Sequence, residues 1–272
     1  MICAYIFAIV ARICLHLAPQ DDAITEIVNP LRAMTRPKPE ARCARPRPWR
    51  RAQGSNVRAM GRTGRLVAIE GGEGAGKSTQ AGLLAVAIGA ELTREPGGSP
   101  VAERIRALLL DPSLGRLAPR AELHLMLAAR AEHLSSRIEP ALSGGRDVVV
   151  DRFAGSTLAY QGYGRGLSVA EVREACDLAA GGRWPELSVL LDIPLDLAER
   201  RWAADRAGSG PGPDRIEAED REFHQRVGEG FRALAAADDE HWVVVDGSAP
   251  TDEVAAAVLA AVTERLGIKV AP

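Results

Sequence analysis

The sequence predicts an α/β protein, a five-stranded parallel sheet with helices on both faces. Three observations predict it. Five short runs rich in apolar and β-branched residues recur between residues 65 and 247, each separated from the next by a stretch with helical spacing. Strands that alternate with helices pair in parallel, because every connection has to cross back over the sheet. DVVVDRF (147–153) and LSVLLDI (187–193) have continuous apolar cores without alternation, as strands buried on both faces do. The first run also ends in a glycine-rich turn, GGEGAGKS, with a helical pattern directly behind it.

Taken in order, RLVAIE (65–70) is the first strand, and TQAGLLAVAIGA (79–90) has helical spacing. AELTR (90–94) is a short second strand ahead of EPGG. Residues 99–110 form a helix that stops at Asp111-Pro112, since proline disfavours helical backbone in the residue before it. Residues 119–142 form a long amphipathic helix that opens on Pro119 and ends before Gly144-Gly145. The third strand (147–153) is followed by helical pattern over 155–161 and 168–180. After the fourth strand (187–193), Pro194 opens another helix, and AGSGPGP (207–213) is a loop. Residues 217–237 are helical, HWVVVDG (241–247) is the last strand, and 250–266 are the last helix. No internal repeat is visible.

The chain of 272 residues is 46% hydrophobic, enough for one sizeable core. Its net charge of −2 gives no global pull toward nucleic acid, but the average hides a split. Residues 1–59 hold ten basic and four acidic residues, which leaves −8 on residues 60–272. Of four cysteines only Cys176 lies in that second part, so disulfides and structural zinc are not expected there. That part reads as a reduced, cytoplasmic globular domain.

Residues 1–59 are expected to be a disordered basic extension. ICAYIFAIVA (2–11) is too short to span a bilayer and lacks the positive lead of a signal peptide. Residues 30–58 are rich in proline and arginine and cannot bury a core. Four readings compete: a cleaved targeting segment, a membrane anchor, a basic tail for nucleic acid or lipid, and upstream sequence ahead of a start near Met60. The last is preferred, which places the domain at 60–272 with a lid at about 203–217.

Gly71, Gly72, Glu73, Gly74, Ala75, Gly76, Lys77 and Ser78 fit the phosphate-loop pattern GxxxxGK[ST], and Thr79 follows in the helix. Glycines let backbone N–H groups turn toward a β-phosphate, and the helix that starts there adds its positive end. Lys77 would reach the β- and γ-phosphates, and the Ser78 hydroxyl would bind Mg²⁺. The basic residues of 60–268 are otherwise all arginine, so the single lysine stands at the one place that demands it. Nucleotide phosphate binding follows, with ATP and Mg²⁺ as the expected ligands.

A phosphate loop alone does not select a reaction. No NKxD stretch is present and no DxxG follows DVVVD, against a GTPase. Arg94-Glu95 and Asp151-Arg152 stand at strand ends, where α/β sheets bind ligands. A carboxylate there can hold the Mg²⁺ shell, and an arginine can take an acceptor phosphate bidentately. The loop at 207–213 is flanked by Arg200, Arg201, Arg206 and Arg215, which suits a lid that closes over ATP.

These residues resemble the bacterial thymidylate kinase family over about 66–266. The resemblance rests on IEGGEGAGKST (69–79), TREPGG (93–98), AELHLMLAAR (121–130), DRFAGSTLAYQGYGRG (151–166), PELSVLLDIP (185–194) and DRIE (214–217), in family order. It implies a P-loop NTPase-type five-stranded sheet with a short lid, and a homodimer that acts on ATP and dTMP rather than on nucleic acid or membrane. Arg94 and Arg152 would hold the dTMP phosphate, and Asp151 the Mg²⁺ network. Arg130 would bond a thymine carbonyl, with Thr157 at the thymine edge. Tyr160 would crowd the 2′ position, with Gln161 beside it, and Glu73 takes the variable acidic place of the loop. A lid arginine, Arg206 in preference to Arg201, would supply transition-state charge. The family usually has phenylalanine stacked on thymine where this chain has Met126. His124 and His133 are expected on the helix surface and Cys176 in the core. The alternatives are a kinase for another pyrimidine monophosphate and an ATP-binding module without catalysis.

Overall fold

In the computed structural model the structure describes residues 63–207, 212–268 and 270, without the side chains of residues 205–207. The extension at 1–59 lies outside the described residues. The five expected strands form: β1 (Leu66–Glu70), β2 (Glu91–Arg94), β3 (Val148–Asp151), β4 (Leu187–Asp192) and β5 (Trp242–Asp246). They pair in parallel in the order β2-β3-β1-β4-β5. The central strand β1 is fully buried, and its side chains alternate between two cores. Leu66 and Ala68 join one core and Val67 and Ile69 the other, as a strand's two-residue period requires.

Nine helices stand among the described residues: α1 (Lys77–Ile88), α2 (Pro100–Leu110), α3 (Pro119–His133), α4 (Glu139–Ser143), α5 (Ala154–Thr157), α6 (Val169–Ala180), α7 (Leu195–Ala207), α8 (Arg221–Ala237) and α9 (Thr251–Leu266). Helices α3, α5, α6 and α8 cover one face of the sheet, around Phe153, Phe223 and Phe231. Helices α1 and α9 cover the other. Among the described residues no helix is long and apolar enough to cross a membrane.

Three expectations need correction. The helix expected over 119–142 is interrupted by a π-helical turn at Leu134–Ile138, between α3 and α4. Pro140 follows, and a proline inside a helix has no N–H and presses on the carbonyl four residues back; a wider turn relieves both. The helical pattern at 155–161 becomes the short α5 and a second π-helical turn, Leu158–Gly164. Helix α8 starts at Arg221 rather than 217, because Asp220 caps it by accepting the Phe223 N–H at 2.7 Å.

Candidate active site

The carboxyl ends of β1, β2 and β3 stand at one level. Arg94 on β2 pairs in register with Asp151 on β3, and Asp151 with Ile69 on β1. The glycine-rich loop leaves β1 at this level and runs into α1. Gly74 has a φ of +71°, and a Cβ there would stand 2.6 Å from the Ala198 carbonyl of α7. Lys77 is buried, with its Nζ donating to the Gly72 carbonyl at 2.6 Å. Burial and the neighbouring Arg152 charge pull its ammonium down to about 8. Ser78 Oγ donates to Asp151 Oδ2 at 2.5 Å, while the buried Asp151 Oδ1 has no partner among the described residues.

Beside the loop opens a cavity of about 280 Å³. It is lined by Arg94, Met126, Arg130, Arg152, Thr157, Tyr160 and Gln161, the seven residues that the resemblance places around the acceptor, and by Glu73, Lys77, Ser78 and Asp151. The elements that bring them together are the loop, β2, β3, α3 and the segment after β3. The phosphate cradle and the apolar side chains of Met126, Phe153 and Leu110 thus line one cavity.

Arg152 sits at a left-handed φ of 68°, costly for a residue with a Cβ. The turn aims its guanidinium back at the loop. It donates to Gly71 O (2.9 Å), Ser156 Oγ (3.2 Å) and Glu73 Oε1 (2.6 Å). Tyr160 Oη donates to the same Glu73 oxygen at 2.8 Å. Burial alone would raise the Glu73 carboxyl, but the Arg152 and Lys77 charges outweigh it and hold it at about 2. Arg94 is half exposed and donates to Glu103 Oε2 at 2.9 Å, while Glu103 Oε1 accepts the Gly98 N–H at 2.8 Å. Both candidate acceptor arginines therefore already face a carboxylate.

Arg130 is almost fully buried and donates to Glu95 Oε2 (2.8 Å), Thr157 Oγ1 (2.8 Å) and Cys176 Sγ (3.4 Å). Its guanidinium also lies 5.0 Å from the centroid of the Phe153 ring. Glu95 is thus engaged by Arg130 and His133, while Asp151 engages Ser78. His133 is not on the surface: it is fully buried, because the long helix turns that face inward over β2. His124 is exposed and Cys176 buried, as expected.

Two buried carboxylates escaped the sequence reading. Glu70 accepts the Phe153 N–H at 3.0 Å and the Ser156 hydroxyl at 2.6 Å, and so caps the start of α5 from across the sheet. Burial pushes its carboxyl up. Glu122 accepts Gln161 Nε2 (2.8 Å), Arg165 Nε and Nη2 (3.0 Å each) and Arg215 Nη1 (2.5 Å). Arg215 therefore belongs to this buried cluster and is not a lid arginine. Arg201 donates to the Gly247 and Ser248 carbonyls. The Arg206 side chain lies outside the described residues. Neither carboxylate has a sequence signature beyond an acid in an apolar run.

A family model described as thymidylate kinase matches residues 69–258. A thymidylate kinase of Desulfovibrio desulfuricans is 47% identical over 196 residues, 70% of this chain and 90% of that protein. One from Thermomicrobium roseum is 46% identical over 206 residues, 73% of this chain and 94% of that protein. Among solved structures, a thymidylate kinase from Ehrlichia chaffeensis superposes with a TM-score of 0.58 at 28% identity, covering 74% of this chain and 99% of that one.

Proposed function

The chain belongs to the thymidylate kinase family and transfers the γ-phosphate of ATP to dTMP, and we propose that the residues around the cavity beside Lys77 carry out the transfer. One observation supports the assignment above the others. The phosphate cradle and the seven residues proposed for the acceptor share one cavity, so a phosphate on Arg94 and Arg152 would face a phosphate on Lys77. Phosphoryl transfer needs positioning and charge neutralisation more than covalent help.

In this reading the loop amides, Lys77 and Ser78 hold the ATP phosphates. The dTMP phosphate displaces Glu103 from Arg94 and Glu73 from Arg152 and so takes both guanidinium groups. An oxygen of that phosphate forms the new bond to the γ-phosphorus, and the bond to the β–γ bridging oxygen breaks, giving dTDP and ADP. No general base is required, because the attacking oxygen is already anionic. The unpartnered Asp151 Oδ1 and the Ser78 hydroxyl suit a Mg²⁺ ion, which keeps most of its shell for water and phosphate oxygens. Bound there, the ion would neutralise charge on the β- and γ-phosphates. The Arg206 guanidinium would meet the charge on the transferring group. Arg130 and Thr157 would face the thymine edge, Met126 the ring, and Tyr160, with Gln161 beside it, the 2′ position of the sugar.

The same reading makes the enzyme a cytoplasmic homodimer; size-exclusion chromatography with light scattering tests the dimer. It also places the domain at 60–272. A chain starting at Met60 should fold and turn over like the full chain, and an insoluble or inactive product would refute that. A coupled ADP-release assay over a panel of nucleoside monophosphates tests the assignment as a whole. dTMP should far exceed dCMP, dGMP and dAMP, and a flat profile would sink the acceptor-site reading.

A further inference from the structure

The donors of Arg130 are divided unevenly. Of the five N–H bonds of a guanidinium, Nε–H goes to Glu95, one on Nη1 to Cys176 and one on Nη2 to Thr157. The remaining two, one on each terminal nitrogen, have no acceptor among the described residues, and Arg130 lines the acceptor cavity. That edge carries donors and no acceptor. A pyrimidine that presents a carbonyl to it is bonded, whereas one that presents an amino group sets donor against donor. The discrimination survives only while the guanidinium cannot roll.

Glu95 prevents the roll, and His133 in turn holds Glu95. The Glu95 carboxylate is almost fully buried between the two: Oε2 takes Arg130 Nε–H, and Oε1 meets His133 Nδ1 at 3.1 Å. The far side of the ring is held as well, with Nε2 at 2.7 Å from Thr93 Oγ1 on β2. The space for the ring depends on a missing side chain, since a Cβ on Gly98 would stand 2.3 Å from His133 Nε2. We propose that Glu95 and His133 are positioning residues for base specificity: they lock Arg130 so that a donor-only edge faces the nucleobase, admitting a 4-keto and refusing a 4-amino pyrimidine. This rests on the reading above that Arg130 meets the base.

The test uses the full chain as wild type, Glu95→Gln, His133→Phe, His133→Asn and Arg130→Ala. For each, the KM for dTMP, the Ki of dCMP as competitor, the KM for ATP and the melting temperature are measured. Glu95→Gln should lower the ratio of dCMP Ki to dTMP KM by about tenfold or more, part of the roughly 10⁴–10⁵ that a hydrogen-bonding site can command, with the KM for ATP unchanged. His133→Phe should lower the ratio in the same direction. His133→Asn keeps an N–H donor near the Nδ1 position, and should restore most of it. If Glu95→Gln fails to fold, the two His133 variants, which leave the Glu95–Arg130 pair intact, decide the matter. If Arg130→Ala abolishes the discrimination while the Glu95 and His133 variants keep it within about twofold of wild type, the positioning role is overturned and the site reading stands. If Arg130→Ala itself leaves the ratio unchanged, the base-reading role of Arg130 fails, and this inference with it.

Discussion

Replacing Glu122 by glutamine should cost this protein a large part of its stability, even though Glu122 does not itself line the acceptor cavity. The carboxylate is fully buried and receives four donated hydrogen bonds, from Gln161, Arg165 (twice) and Arg215. Side chains of Arg165 and Arg215 are 2% and 4% exposed. Glutamine would keep the shape but remove the charge and turn N–H groups toward guanidinium N–H groups. Removing one partner of a buried ion pair costs about 3–5 kcal/mol; Glu219, which also holds Arg165, favours the lower end. In a domain of this size each kcal/mol moves the melting temperature by about 2–4 °C, so a fall of about 6–20 °C is expected. Thermal unfolding of the full chain followed by circular dichroism measures it. Glu139→Gln is the control: its pair with Arg183 is 39% and 29% exposed and should be worth less than about 1 kcal/mol. An Glu122→Gln protein melting within about 2 °C of wild type would refute the reasoning. The KM for dTMP should rise as well, because Gln161 and the 214–217 segment next to Arg215 line the cavity.

Lys77→Ala should keep the fold and lose most of the transfer rate, by a factor of about 10²–10³ if it resembles loss of an oxyanion donor; near-normal turnover would show that the phosphate assignment is wrong. Lys77 titrates near 8 in the free protein, and ATP prefers its charged form. Affinity for ATP should therefore weaken as pH rises past about 8, approaching tenfold per unit, and a Kd by calorimetry that stays flat through that range would contradict it. Arg206→Ala should lower kcat more than it raises the KM for ATP; an unchanged kcat would transfer the role to Arg201. Met126→Phe should lower the KM for dTMP modestly and Met126→Ala raise it several-fold, with the KM for ATP unchanged in both. A destabilised Met126→Ala enzyme with a normal KM for dTMP would instead make Met126 a core residue, consistent with its packing, partly buried, against the core around Phe153.

The sheet and the cradle were legible because their signals are local. A short β-branched apolar run bounded by turn residues reads as a buried strand without reference to distant residues, and a GxxxxGK[ST] turn is recognised within eight residues. The residues proposed for the acceptor came from resemblance alone, and the structure adds that they line one cavity. His133, Glu95, Glu122 and Arg215 were misread or missed for a common reason. A charged residue in a helix or loop reads as solvated by default, and only a partner from a distant element makes its burial tolerable. Glu122 meets Arg215 across 93 residues and Arg130 meets Glu95 across 35. No window on the sequence contains both halves of either pair. The π-helical turns were invisible in a similar way: spacing reveals which face is apolar but not where a turn widens.

Gly74 shows a different kind of dependence. A Cβ on Gly72 or Gly76 would meet nothing within 4 Å, whereas at Gly71 the space is taken by the Leu191 carbonyl of β4 and at Gly74 by the Ala198 carbonyl of α7. That place in the loop is closed by a helix more than a hundred residues further on. The two segments are consequently free to drift only as a pair. A lineage that gained a side chain at position 74 would have to let α7 withdraw, and would still carry the strain of a φ of +71°. Part of what looks like a nucleotide motif in this protein is therefore a record of where α7 rests.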